Sequence, residues 1–120
     1  MATRSAIAIR NADKSYDVVY CHWDGYPEHH MPILTEKYGT AGKARKLISK
    51  GDISSLDTDK DWQGNNRKPG PLYYFERGES SVDPRNFYAT GVIDFARNCC
   101  CEHIYTYVPR KGWQHQVVID

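Results

Sequence analysis

The chain has 120 residues, 40% of them hydrophobic and 12% aromatic, which fits a single globular domain over residues 1–120 and excludes a disordered chain. Sixteen basic residues against fifteen acidic ones leave a formal charge of +1, so the bulk basic footprint of a nucleic-acid binder is missing. No run approaches the ~18 apolar residues of a membrane span, and residues 1–17 lack the apolar stretch of a signal peptide. A soluble intracellular protein with no membrane partner is therefore expected.

Taken in chain order, "SAIAIR" (5–10) and "YDVVYCHW" (16–23) read as two strands joined by the polar turn "NADKS". Alternation along the second puts Tyr16, Val18, Tyr20 and His22 on one face and Asp17, Val19, Cys21 and Trp23 on the other. Asp24-Gly25 and Pro27 then end the strand. A helix is predicted over 31–39, with Pro32 near its first turn and Gly39 past its end. A second follows, with Thr40 as N-cap, Ala44, Leu47 and Ile48 as its apolar stripe and Gly51 as its stop. Its Lys43, Arg45, Lys46 and Lys50 read as a solvated face.

Residues 57–71, "DTDKDWQGNNRKPGP", are polar, rich in Gly and Pro and without period, which predicts a long loop tethered by Trp62. "LYYFERGES" reads as a strand ending at Gly78. Asp83 and Pro84 then look like the N-cap and first residue of a helix. Tyr88, Val92, Phe95 and Cys99 continue it at helical spacing. "HIYTYVPRKGWQHQVVI" closes the chain as strand, turn and strand. The order β-β-α-α-β-α-β-β predicts an α+β domain: a largely antiparallel sheet of about five strands with the helices on one face.

The four cysteines are Cys21 and the run Cys99, Cys100 and Cys101. Adjacent helical residues point about 100° apart, so the run cannot hold one ion from a regular helix, and no C-x₂-C pair is present. Only an unwound helix end could join it to His103 and to Cys21 or His22; no metal and no cofactor is expected. Cys21 and His22 fall on opposite faces of their strand and cannot activate each other directly. His29-His30 reads as a solvated pair without a role.

The remaining chemistry gathers at the corner formed by His22, Trp23, Asp24, Tyr26 and Glu28, and at "FERGE" with Arg77 and Glu79. If the two strand ends meet, Arg77 either pins the turn by pairing with Asp24 or Glu28, or helps form a polar pocket with aromatic walls.

"MATRSAIAI", "YCHWDGYPE", "GDISSL", "YFERGE" and "HIYTYVPRKGW" resemble, in the same order, small proteins encoded by tailed phages and prophages that carry a Thr-Arg-Ser strand and a Trp-Asp-Gly-Tyr-Pro corner. The cysteine run and the histidine pair depart from that pattern. The resemblance implies an accessory protein in the cytoplasm of the infected bacterium and carries no activity with it. Three functions are then expected, in order. The first is binding and inhibition of a host protein such as a defence factor, with Trp62, Tyr26 and Trp113 as anchors. The second is capture of a nucleotide-like small molecule by Arg4, Trp23, Tyr26 and Arg77. The third is a small hydrolase using Asp24, Glu28 or His22 as acid or base.

Overall fold

The computed structural model describes residues 2–119. Strands β1 (Ser5–Arg10) and β2 (Tyr16–Cys21) form the expected antiparallel hairpin, followed by helices α1 (Pro27–Lys37) and α2 (Ala41–Ser49). Then come β3 (Ile53–Lys60), β4 (Asn66–Tyr73), a 3₁₀ turn (Tyr74–Arg77), β5 (Arg85–Phe87), α3 (Ala89–Asn98), β6 (His103–Val108) and β7 (Gly112–Val117). The class is α+β. The sheet has seven strands rather than about five, in the order β4-β3-β2-β1-β6-β7, with β5 paired to β2. It is mostly antiparallel, but β1 runs parallel to β6 and β2 parallel to β3.

The helices cover both faces of this sheet, which corrects the expectation that they lie on one. On β1, Ile7 and Ile9 pack with Val19, Leu34, Leu47, Ile48 and Tyr105 under α1 and α2. The intervening Ala6 and Ala8 pack with Val18, Val92, Ala96 and Ile104 under α3. A strand buried on both faces needs apolar residues at every position, and "AIAI" supplies them.

Four other boundaries moved. Helix α1 begins at Pro27, which takes the first helical position where a missing N–H costs nothing, and Pro32 sits inside the helix. Residues 57–71 are not a loop: they form most of the β3–β4 hairpin, closed by a turn in which the Asp61 carboxylate accepts from the Gln63 and Asn65 N–H groups. The register shifts at three places, and the ribbon curls until Trp62 Nε1 donates to the Tyr73 carbonyl at 2.9 Å. Pro69 and Pro71 are tolerated because β4 is an edge strand. Finally, "LYYFERGES" is strand only to Tyr73, and α3 starts at Ala89 with Tyr88 at its N-cap, six residues after Asp83.

Residues Arg85–Phe87 are drawn away from α3 by the outer edge of β2. There β5 pairs with Tyr16–Val18, while β3 pairs at Cys21. The Tyr20 N–H falls in the gap between the two and is taken by the Asp52 carboxylate at 2.9 Å, which also receives Arg85 Nη1 at 2.5 Å. Burial pushes the Asp52 carboxyl up, opposed by these same donors. Asp52→Ala should cost about 2–3 kcal/mol, less than a fully buried pair because the Arg85 side chain keeps 31% of its exposure. Asp52→Asn keeps an acceptor for Tyr20 and should cost less. Urea denaturation of the two variants orders them; equal losses would mean that the Tyr20 bond contributes nothing.

The cysteine run ends α3. Cys101 N–H donates to Ala96 and Cys100 N–H to Arg97, a Schellman arrangement in which Cys100 takes the left-handed conformation (φ 59°) that glycine usually fills. Cys101 is buried under α3 and Cys100 is exposed, while Cys21 lies beneath α1 and α2, on the opposite face of the sheet. The sheet itself therefore separates Cys21 from the run.

Candidate functional site

The corner after β2 is built by backbone bonds to three neighbours. His22 and Trp23 N–H groups donate to the Ile53 and Ser54 carbonyls, extending the β2–β3 pairing past the strand end. Asp24 turns the chain in the left-handed region (φ 56°), which aspartate tolerates better than most residues. Gly25 N–H then donates to Thr3 at 2.8 Å, and its carbonyl accepts the buried Tyr105 hydroxyl at 2.6 Å. Tyr26 caps α1 in an extended conformation. The main chain of the corner is thus held at His22, Trp23 and Gly25.

Most of its side chains are exposed. Trp23 is 44% exposed and Tyr26 40%, and Asp24 and Glu28 are exposed without an ion pair among the described residues. His22 lies behind Trp23, ring to edge at 4.7 Å, and its Nδ1 meets the Tyr20 hydroxyl at 2.6 Å. Burial raises the Tyr20 phenol to about 12, and burial with the nearby Arg4 guanidinium lowers the His22 imidazole. Both shifts favour the neutral forms, so this is a bond between an uncharged phenol and an uncharged imidazole. Arg4 stands beside both rings, and its carbonyl accepts the Glu102 N–H.

Arg77 does not pair with Asp24 or Glu28. It bonds Glu79 at 2.8 Å and lies 4.3 Å above the Trp62 ring, with the Tyr74 ring 5.5 Å from both the guanidinium and Trp62. Tyr74 N–H donates to the Asp52 carbonyl, two residues before Ser54, whose carbonyl holds Trp23. The corner and the Arg77 stack are therefore adjoining parts of one surface at the start of β3, although no charge pair joins them. Ser54, Tyr74 and Tyr20 complete it. Sequence reading missed them because an aromatic on a strand and a serine after Asp52 look like ordinary sheet residues.

Two further assignments change. Trp113 is buried and its Nε1 donates to the Tyr38 carbonyl at 2.9 Å, so it holds α1 to β7 and is no surface anchor. His30, expected to be solvated, is fully buried: its Nε2 meets Ser5 Oγ at 3.2 Å, its Nδ1 meets His29 at 3.0 Å, and its ring packs on Tyr105. With α1 starting at Pro27, His30 falls on the inward face of the first turn. The Cys21 thiol, also fully buried, is pushed up to about 12, which removes it as a nucleophile.

Two surface cavities, of about 230 and 340 Å³, lie elsewhere, between α3 and β6–β7 and between α2 and β4. Neither is lined by residues of the corner. No helix among the described residues is long and apolar enough to cross a membrane. Comparison with protein-family models, with curated proteins and with solved structures gives no match.

Proposed function

We propose that the protein works by binding another protein through the Trp23–Tyr26–Trp62–Arg77 surface, and that in the setting the phage resemblance implies, the partner is a host protein that it blocks. The observation that carries this reading is the exposed Arg77 guanidinium stacked on Trp62 at 4.3 Å, with Trp23 half-exposed at the corner held by Ser54. Tryptophan, tyrosine and arginine are the residues that dominate binding energy at protein interfaces. Here Trp23 stands on a backbone fixed by bonds to Ile53, Ser54 and Thr3, while Trp62 is held to the Tyr73 carbonyl and Arg77 to Glu79, so little order remains to be imposed on binding.

The test is affinity capture from a bacterial lysate with wild type and with Trp23→Ala and Arg77→Ala, followed by titration of the captured protein. Each truncation should weaken binding roughly thirtyfold, the effect of an interface residue worth about 2 kcal/mol, with the thermal midpoint kept. A partner held equally well by both variants, or no stoichiometric partner, would overturn the reading.

A further inference from the structure

The cavity of about 340 Å³ between α2 and β4 has a chemistry of its own. Lys43, Lys46 and Lys50 stand at i, i+3 and i+7 on one face of α2, and Lys37 joins them from the end of α1. Between them lie the rings of Tyr38 and Tyr73, with the Lys50 ammonium 5.7 Å above the Tyr73 ring. Helix α2 contains no acidic residue. Its remaining cation, the exposed Arg45, is met by Asp17 at 3.4 Å, and Lys37 is met by Asp57 at 3.3 Å. Lys43, Lys46 and Lys50 have no ion pair among the described residues.

Like charges three and four residues apart on a helix repel, and Lys43 in the first turn opposes the dipole, although Lys46 and Lys50 lie at the C-terminal end that favours cations. A folding requirement would not place them so, because any polar residue would solvate that face at no such cost. A bound anion turns the mutual repulsion of the three ammonium groups into shared attraction. The aromatic rings specify the rest of the ligand: a flat group that lies on tyrosine while its charge reaches the ammonium rim. The volume matches a small molecule rather than a groove that tracks a polymer.

We propose that this cavity binds a free nucleoside polyphosphate, with its phosphates on Lys43, Lys46 and Lys50 and its base against Tyr38. The site is separate from the Trp23–Arg77 surface and stands whether or not that surface binds a protein.

The experiment is calorimetric titration of the full chain with ATP, inorganic triphosphate and a single-stranded oligonucleotide at low and physiological salt. Saturable ATP binding is expected, weakened at least tenfold in the double variant Lys43→Glu/Lys46→Glu. Tyr38→Ala should weaken ATP and leave triphosphate unchanged, which separates base recognition from charge alone. If the glutamate variant fails to fold, Lys43→Gln/Lys46→Gln should still lower affinity severalfold. Absence of ATP binding at millimolar concentration, binding indifferent to the lysines, or an oligonucleotide that binds far tighter than ATP would each overturn the proposal.

Discussion

Gly25→Ala is expected to destabilise the protein by roughly 3 kcal/mol or more, at the upper end of what overpacking costs. A Cβ at this position would lie 2.7 Å from the Thr3 carbonyl oxygen and 2.8 Å from Ser5 Cβ. Both belong to the central strand or its lead-in, and neither is the far end of a flexible side chain. Relief by moving Gly25 would break its bond to Thr3 and withdraw its carbonyl from the Tyr105 hydroxyl, which is buried with no alternative acceptor in view. The urea midpoint should fall with the slope unchanged. Gly42 is the control: a Cβ there meets nothing within 4 Å, and alanine in α2 should raise stability by about 0.5–1 kcal/mol. A Gly25→Ala protein as stable as wild type would mean that the corner is a loose turn and that its side chains are not held in place for binding.

What could be read in advance depended on how locally each feature is determined. Helix α2 was legible because Thr40, whose hydroxyl accepts the Lys43 N–H, and the stripe Ala44, Leu47 and Ile48 act within a few residues of one another. The terminal hairpins were legible for the same reason. Helix α3 was misplaced because Asp83-Pro84 is a sound local start signal, yet Arg85 is claimed by Asp52, 33 residues away, and its segment by the edge of β2. The β3–β4 hairpin was hidden because most of its residues remain exposed or half-exposed, so no apolar alternation marks it. At the site, the turn and the exposure of Trp23 could be expected from residue types, whereas the partner of Arg77 depended on where a curled ribbon delivers Trp62. The lysines of α2 were visible as one face. The tyrosine floor that makes them a cavity comes from two other elements.

The second large effect is acid sensitivity centred on His30. Burial, helped by the charges of His29 and His103, lowers this imidazole from its ordinary 6.5 to about 3. The unfolded chain therefore binds a proton that the folded chain refuses. Stability is fully present above pH ~6.5 and is lost as pH falls toward ~3, by up to about 1.4 kcal/mol per pH unit. His22 and His103 are lowered too, chiefly by burial, and add smaller losses of the same sign. The ring has little room to escape, with Ser5 on one nitrogen, His29 on the other and Tyr105 against its face at 5.1 Å. Urea midpoints measured from pH 7.5 to 4.5 should fall steeply in wild type. His30→Gln, which can still bond Ser5 but cannot ionise, should be less stable at neutral pH and markedly flatter below it. Should that variant not fold, the His30 ring resonance in wild-type NMR spectra decides the matter, because it should not titrate above pH 5 while the protein stays folded. A ring that titrates near 6.5 would place His30 in solvent and remove it as the source of the acid loss.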